Sequence, residues 1–327
     1  MTIRSKFILW IFIVSIIPYD SLALSVDSVS VSTPVDTVKY WTFKSLSLVS
    51  VAQNAFVNWA AGGESSLTGK LGFEYDLKYK KNKFTFDQSA NIVFGLVGYI
   101  DKRVEKTNDK INFAVAFSHQ ISKNWSLTNL TMLKTQFANG YKYPDDSTLI
   151  STFFAPAYLT ISLGFNYKPN DKFQIFLSPI SGKMTFVVSD VLANKGAYGV
   201  KKAKIDSVGN IIIPGEHFLG EVGVSVVTSY KAELMKNIKL NSALSLHNNY
   251  LDLEVNNRWN IDVDFDSRVI FSINKIFSTI LYVHLKYDHN ARFPNYETVG
   301  GDQVVVSESP KLQINESFGL GVTYQID

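Results

Sequence analysis

The sequence predicts an all-β protein, a single transmembrane antiparallel β-barrel of about 12 strands in a Gram-negative outer membrane. Three observations lead to this fold class: an export signal at the start of the chain, long segments in which apolar and polar residues alternate, and connections that are alternately short and long. After the export signal the chain has no apolar run of the roughly 20 residues that a membrane-spanning helix needs. The predicted membrane crossings are therefore strands.

The first residues have the features of a cleaved signal peptide. Arg4 and Lys6 form a basic start, 7–17 is an almost purely apolar run, and 21–23 offers small residues for cleavage. The apolar run has 11 residues, which is too short for a membrane-spanning helix of roughly 20. Residues 1–23 are therefore predicted to be a signal peptide that is removed on export.

The composition limits what the exported chain can do. Residues 24–39 are rich in Ser, Val, Asp and Thr without a helical period, which indicates a periplasmic linker before a barrel of residues 40–327. The formal net charge is only +3 and no basic cluster is present, so nucleic acid is not an expected partner. The absence of cysteine excludes disulfides and thiolate metal sites.

Period-two alternation dominates the rest of the chain. In 67–79 the apolar residues Leu67, Leu71 and Phe73 lie on one face, and Lys70 and Glu74 lie on the other. Counted in this way, strands are predicted at 42–57, 65–80, 83–99, 109–122, 124–137, 156–168, 171–179, 216–232, 237–252, 258–274, 276–289 and 311–326. Alternation is broken in the third, fifth and eighth segments, and the face assignment of the first is ambiguous.

The predicted connections favour a membrane barrel over a soluble protein. One set is tight, as at 80–82 and 122–123, whereas the other set includes the long segments 138–155, 180–215 and 290–310. Outer-membrane barrels have short periplasmic turns and longer extracellular loops, and aromatic residues near both strand ends, as found here. A secreted β-sandwich, in which aromatic residues fill a core, is the alternative. An even strand count places both termini in the periplasm and lets the first and last strands pair.

The polar face of the alternating segments is predicted to line the lumen. The candidate lumen-lining residues are Lys70, Glu74, Asp76, Lys78, His247, Asp262, Asp264, Asp266, Arg268, His284 and Lys286. Pairing across the turn at 274–275 places Asp264 opposite Lys286 and Asp266 opposite His284, and we expect both pairs to point inward. These charges would either fill a narrow barrel as an ion-pair network or line a polar conduit.

Recognisable catalytic and metal-binding patterns are weak. The spacing of Asp262, Asp264 and Asp266 resembles the start of a calcium loop, but Ser267 and Ile273 stand where that loop needs Gly and Glu. We therefore predict no metal and no cofactor. Ser245 and His247 share one strand face, which leaves a membrane-embedded hydrolase as a third hypothesis for function.

Five blocks of the sequence resemble the domain-of-unknown-function family 3078, which consists of predicted outer-membrane barrel proteins of the Bacteroidetes phylum. The blocks are Asn58-Trp59-Ala60-Ala61-Gly62-Gly63, Ala155-Pro156-Ala157-Tyr158, Tyr167-Lys168-Pro169, Leu177-Ser178-Pro179-Ile180-Ser181-Gly182-Lys183 and Gly196-Ala197-Tyr198-Gly199. The resemblance covers most of the mature chain. It implies the barrel and its location but no reaction, ligand or cofactor.

These blocks also have a physical interpretation. Gly62 and Gly63 suit a tight outer turn, and Pro156, Pro169 and Pro179 are expected at strand ends, where a missing N–H is harmless. Gly182, Lys183 and the residues from Gly196 to Gly199 are predicted in the longest loop. That loop would either fold into the lumen as a plug or lie on the surface.

Two hypotheses for function lead, and in both of them the protein is not an enzyme. The first is passage or binding of small solutes or lipid-like molecules, because many inward positions are polar or glycine. The second is a non-catalytic scaffold or accessory subunit of an envelope complex. The expected partners are outer-membrane lipids and, in the second hypothesis, other envelope proteins.

Overall fold

A computed structural model describes residues 40–55, 64–99, 103–252, 254–274, 277–299 and 302–326. The predicted signal peptide and linker lie outside the described residues, as do Asn58, Trp59, Gly62 and Gly63. Among the described residues, no helix is both long and apolar enough to cross a membrane.

The described residues are almost entirely β-structure. The strands are β1 (Trp41–Asn54), β2 (Ser66–Lys81), β3 (Phe84–Tyr99), β4 (Val104–Gln120), β5 (Trp125–Thr135), β6 (Gly140–Tyr141), β7 (Leu149–Ser151), β8 (Ala157–Tyr167), β9 (Phe173–Phe186), β10 (Lys204–Ile205), β11 (Ile211–Ile213), β12 (Phe218–Met235), β13 (Ile238–Asn248), β14 (Asp262–Ser272), β15 (Phe277–Tyr287), β16 (Arg292–Val299), β17 (Asp302–Pro310) and β18 (Gln313–Ile326). The helical segments are α1 (Asp190–Asn194) and two 3-10 turns, Ala197–Gly199 and Val255–Trp259.

Twelve strands form one closed antiparallel barrel, in the ring order β1, β18, β15, β14, β13, β12, β9, β8, β5, β4, β3, β2. Each of the 12 predicted segments coincides with one of these strands, and the predicted fold is confirmed. The six other strands form three small two-stranded sheets, β6–β7, β10–β11 and β16–β17, which belong to the loops.

Alternation along each barrel strand separates an apolar outer surface from a polar lumen. On β2, Leu67 and Leu71 are more than half exposed on the outside, whereas Lys70 and Glu74 point inward. The ambiguous first strand follows the same rule, because Trp41 and Phe43 are outward and exposed. Its inward side carries apolar residues too, including Leu48. Gly72 and Gly321 flank Leu48 and make room for it, because a Cβ on Gly321 would lie 2.8 Å from Leu48 Cδ1.

The connections at the two ends of the barrel differ in length, as predicted. At one end they are tight, for example at Asn82–Lys83, where Asn82 has a φ of 53°. At the other end they extend to 136–156, 187–217 and 288–312 and contain the three small sheets. Both β1 and β18 reach the short-turn end, where Ser45 pairs with Ile326. The two ends of the barrel-forming chain therefore lie on the same side.

A small apolar core covers part of the barrel mouth at the long-loop end. It contains Ala155, Val187, Leu192, Ala193 and Val200 from the loops that follow β5 and β9. Leu219 on the inward face of β12 packs against it. The longest loop therefore packs on the neighbouring loop and on the inward face of β12, and we call this packed region the cap.

The family block from Gly196 to Gly199 lies in this cap. Gly196 and Gly199 have φ values of 71° and 85°, which favour glycine. The hydroxyl group of Tyr198 donates to the carbonyl oxygen of Ile150 in the other loop. Burial raises the pKa of Tyr198, so the hydroxyl keeps the proton that it donates.

The seventh barrel strand is longer than predicted. β9 continues past Pro179 to Phe186, so Pro179 is not at a strand end, and Gly182 and Lys183 lie in the strand instead of in a loop. Pro179 sits at a bulge, where β9 carries an extra residue relative to both β8 and β12. A bulge tolerates the missing N–H. Pro156 directly precedes β8, and Pro169 lies in the turn after it.

Candidate functional site: the luminal ion-pair ladder

Four successive inward positions of β14 carry charged side chains. They are Asp262, Asp264, Asp266 and Arg268, and each pairs with an opposite charge from another wall of the barrel. The partners are Lys183 on β9, Lys134 on β5, Lys110 on β4 and Glu74 on β2. We call these eight residues the luminal ion-pair ladder.

The distances show direct contacts at every level. Lys183 Nζ lies 2.5 Å from Asp262 Oδ2, and Lys134 Nζ lies 2.8 Å from Asp264 Oδ2. One level further, Lys110 Nζ lies 2.5 Å from Asp266 Oδ2. The last level is a bidentate pair, in which the two terminal nitrogens of Arg268 donate to the two carboxylate oxygens of Glu74, at 2.5 and 2.8 Å. Bidentate geometry makes this pair the most specific of the four.

The ladder crosses the lumen. In the ring of 12, β4 lies six strands from β14, on the opposite wall, and β5 lies five strands away. Tyr282 on β15 adds a second donor to Asp266 at 2.7 Å. Side chains from facing walls therefore meet at the middle of the barrel, as expected for the predicted ion-pair network in a narrow barrel.

Around Lys183, acidic groups outnumber the cation. Its amine lies 3.2 Å from Glu221 and 3.8 Å from Asp288, in addition to Asp262. The side chains of Lys183, Glu221 and Asp288 are 10%, 4% and 6% exposed. A second amine, that of Lys286, lies 4.4 Å from the ring centre of Tyr158, which borders the same cluster. Lys183 and Asp262 therefore form the most deeply buried pair of the ladder.

The predicted pairing across β14 and β15 is right in register but wrong in its contacts. Asp264 is opposite Lys286 and Asp266 is opposite His284 along the backbone. The side chains pair differently, because Asp264 binds Lys134 and the diagonal neighbour His284, at 3.0 Å from Nε2. Diagonal neighbours are within reach of long side chains on a twisted sheet. The predicted Asp264–Lys286 ion pair is therefore replaced by a pair across the lumen.

The other predicted lumen residues are spread along the barrel. Asp76 lies 3.7 Å from Lys231 on the opposite wall, and Lys78 lies 3.5 Å from Asp87 on the adjacent strand. Lys70 donates to the hydroxyl of Ser317 at 3.2 Å. Sequence reasoning missed Lys110, Lys134, Glu221 and Asp288 as partners. The alternation on β4 and β5 could have placed the two lysines inward, but not at the level of a given aspartate.

The histidine that motivated the hydrolase hypothesis, His247, contacts a different serine, Ser225. His247 Nδ1 lies 2.9 Å from the hydroxyl of Ser225, which donates to Ser181, and Ser181 contacts Ser162 at 2.7 Å. Ser225 is only 3% exposed. Within the described part of the chain, His247 Nε2 has no hydrogen-bond partner, so no carboxylate orients the ring. This geometry is that of a buried hydroxyl network, and it lacks the third member of a catalytic triad.

A polar cavity lies above His247 at the long-loop end. Its volume is about 10 Å³, room for about one water molecule, and Glu221, His247, Asn249 and His289 are among its lining residues. Among the residues that the structure describes, no group of His, Asp and Glu is arranged to hold a metal ion. Asp262, Asp264 and Asp266 each contact a lysine instead.

A double-mutant cycle tests the assignment of partners. We expect Asp264→Ala and Lys134→Ala to couple in the free energy of unfolding by about 1–3 kcal/mol, because the two groups are in contact. Asp264→Ala and Lys286→Ala should be additive within about 0.5 kcal/mol. Urea unfolding of the barrel in lipid vesicles, followed by tryptophan fluorescence, measures both cycles. Coupling to Lys286 in place of Lys134 would contradict the observed contacts.

A closed antiparallel barrel with an apolar exterior and a charged interior defines the class of outer-membrane-type β-barrel proteins. A family model described as "Protein of unknown function (DUF3078)" matches residues 51–141. This match confirms the family resemblance over that part of the chain and includes the block from Asn58 to Gly63. The four later blocks lie outside it.

Comparisons with individual proteins give only distant similarities. No curated protein matches the chain. Among solved structures, an outer-membrane channel from Pseudomonas putida F1 is 11% identical, covers 89% of this chain and 98% of its own, and has a TM-score of 0.35. The translocator domain of the autotransporter NalP from Neisseria meningitidis is 8% identical over 87% of both chains, with a TM-score of 0.33. The P. putida toluene transporter TodX is 12% identical over 88% of this chain and 79% of its own, with a TM-score of 0.29.

Proposed function

We propose that the chain is an outer-membrane barrel with both termini in the periplasm and a lumen that is closed at rest. In this proposal it serves as a non-catalytic scaffold or accessory subunit of an envelope assembly. The observation that carries the proposal is the contact between Lys110 and Asp266, made by side chains from opposite walls of the barrel. A barrel filled in this way is a rigid membrane anchor with loops on one side.

Two further features support a closed lumen. The ladder consists of four ion pairs at successive positions along β14. A solute that passes through the lumen would have to separate several of these pairs in succession. At the long-loop end, the cap around Leu192 and Val200 packs on Leu219 and covers part of the mouth. Charged pairs that are shielded from water hold together more strongly than exposed ones.

Passage of small solutes is the second candidate function, and one observation favours it. The contacts that close the lumen are made by side chains alone, so parting them leaves the barrel wall intact. The opened path would be lined by acidic and basic groups. In this alternative the ladder is a gate, and an applied signal would have to separate it.

Recordings in planar lipid bilayers test the proposal. We expect the purified wild-type barrel to show no stable conductance steps. A variant with Lys110→Ala, Lys134→Ala and Asp266→Ala should conduct, because it lacks the contacts that cross the middle of the lumen. Lys201→Ala removes an exposed charge that pairs with Glu216 outside the lumen ladder, and this variant should remain silent. Stable steps from the wild type would favour solute passage over the scaffold role.

A further inference from the structure

Among the described residues, the seam between the first and last strands is the shortest pairing in the barrel. In this part of the chain β1 and β18 share six residue pairs, from Ser45–Ile326 to Ser50–Gly321. Every other pair of neighbours in the ring shares between 10 and 16. The two strands of the seam are therefore paired through their backbones only near the short-turn end.

Both strands continue beyond the paired part. On β1, Val51–Asn54 still pair with β2, and on β18, residues 313–320 still pair with β15. In the described residues no backbone pairing joins these two segments to each other. Side chains make the contacts near this gap, where the hydroxyl of Ser50 donates to the carbonyl oxygen of Leu320 at 2.9 Å and Lys70 reaches Ser317.

The unpaired segments lie at membrane depth. Residues 313–320 of β18 are level with Thr279–Lys286 of β15, which lie between the aromatic residues Phe277 and Tyr287. Unpaired backbone N–H and C=O groups at this depth are costly because lipid tails cannot hydrogen-bond them. A molecule that fills the gap must therefore bring backbone donors and acceptors of its own, which a β-strand does and a lipid does not.

Glu316 indicates which kind of side chain a strand in this gap would carry. It occupies an outward position of β18 opposite Val283, between Ile314 and Phe318, which are 66% and 72% exposed. No cation among the described residues pairs with it. A charge on the lipid-facing side of a barrel strand is unfavourable unless it is compensated. A strand that lies beside Glu316 would therefore be expected to carry a basic side chain at this position.

We propose that the outer half of this seam, formed by Val51–Asn54 and residues 313–320, is a docking edge for an extended segment of a partner polypeptide. The segment enters from the long-loop end, because β1 and β18 are paired with each other at the short-turn end of the seam. Every second side chain of this segment faces lipid. These side chains are apolar, except for a Lys or Arg at the level of Glu316. This inference rests on the proposed scaffold role and names how that scaffold holds its partner.

A peptide probe tests the docking edge on the full chain in phospholipid vesicles. The probe is an eight-residue photoreactive peptide of alternating valine and threonine with one lysine at a valine position. A matched peptide carries glutamate in place of the lysine. We expect the lysine peptide to label the outer halves of β1 and β18, and the glutamate peptide to label about fivefold less, as for a cross-strand ion pair. Glu316→Gln should remove that preference.

Closing the seam provides the control, since the chain has no cysteine of its own. Continuing the register of the paired part places Ala52 opposite Gly319, so oxidised Ala52→Cys/Gly319→Cys should block labelling until it is reduced. The pair Leu133→Cys/Leu159→Cys staples β5 to β8, which are already paired, and should leave labelling unchanged. Labelling that ignores the seam disulfide, or equal labelling by both peptides, would overturn the inference. A disulfide-linked dimer of Gln53→Cys would also overturn it, by assigning the edge to a second copy. Bilayer recordings test the closed lumen and peptide labelling tests the docking edge, so a failure of one proposal can be told apart from a failure of the other.

Discussion

Replacing Lys183 by Met is expected to lower the free energy of unfolding by about 3–5 kcal/mol, the usual cost of leaving buried charges without their partner. The amine of Lys183 is the shared cation of Asp262, Glu221 and Asp288, and its side chain is only 10% exposed. Methionine keeps most of the length and apolar contact of lysine but leaves three carboxylates close together. Urea unfolding in lipid vesicles measures the loss.

The matched control is Lys201→Met. Lys201 pairs with Glu216 at 3.3 Å, but the two side chains are 71% and 57% exposed. An exposed pair of this kind contributes at most about 1 kcal/mol. Adding Glu221→Gln to Lys183→Met should recover part of the stability, because it removes one uncompensated carboxylate. If Lys183→Met costs no more than the surface control, the cluster does not hold the barrel together.

The second large effect is expected for Gly223→Ala. A Cβ at this position would lie 1.7 Å from the backbone carbonyl oxygen of Asn248 and 2.7 Å from its carbonyl carbon. Backbone atoms cannot move aside as a flexible side chain can, so β12 would have to separate from the end of β13. We expect a loss of about 3 kcal/mol or more, at the upper end of overpacking costs. The fraction of unboiled protein that migrates as a folded barrel on SDS gels reports it.

Gly69→Ala is the control for the loss of glycine itself. Gly69 lies on the outward face of β2 and has no atom within 4 Å of an added Cβ. Alanine should leave stability unchanged or raise it by up to about 1 kcal/mol, because it restricts the unfolded chain. A folded yield of Gly223→Ala equal to that of Gly69→Ala would show that the backbone near Asn248 is more adaptable than its spacing indicates.

Local patterns in the sequence are sufficient to predict the fold. Period-two alternation located all 12 barrel strands, because a membrane barrel exposes one face of every strand to lipid and the other to the lumen. The tight turn after β14 also fixed the register of the hairpin, so that Asp264 stands opposite Lys286. The sequence predicts a seventh strand that is too short, because proline ordinarily marks a strand end, whereas a bulge accommodates Pro179 within the strand.

The contacts across the lumen could not be predicted in the same way. Alternation tells which face of a strand a residue occupies, but strand tilt and stagger decide its height on the far wall. Lys134 and Asp264 meet only after the ring has closed with one particular stagger. For the same reason the sequence predicted a seam between the first and last strands but not its length, which depends on how many residues of β1 and β18 reach the same height.

The spacing of the ladder along the chain bears on how the barrel assembles. Its four pairs join residues that are 79, 130, 156 and 194 positions apart. All four partners of β14 come earlier in the chain, on β2, β4, β5 and β9. A nascent sheet that lacks the tenth barrel strand therefore leaves Glu74, Lys110 and Lys134 without their ladder partners, and Lys183 with Glu221 alone. Arrival of β14 satisfies four positions at once, before β15 and β18 complete the ring. We therefore expect the late steps of barrel assembly, in which the tenth strand joins the sheet, to be cooperative.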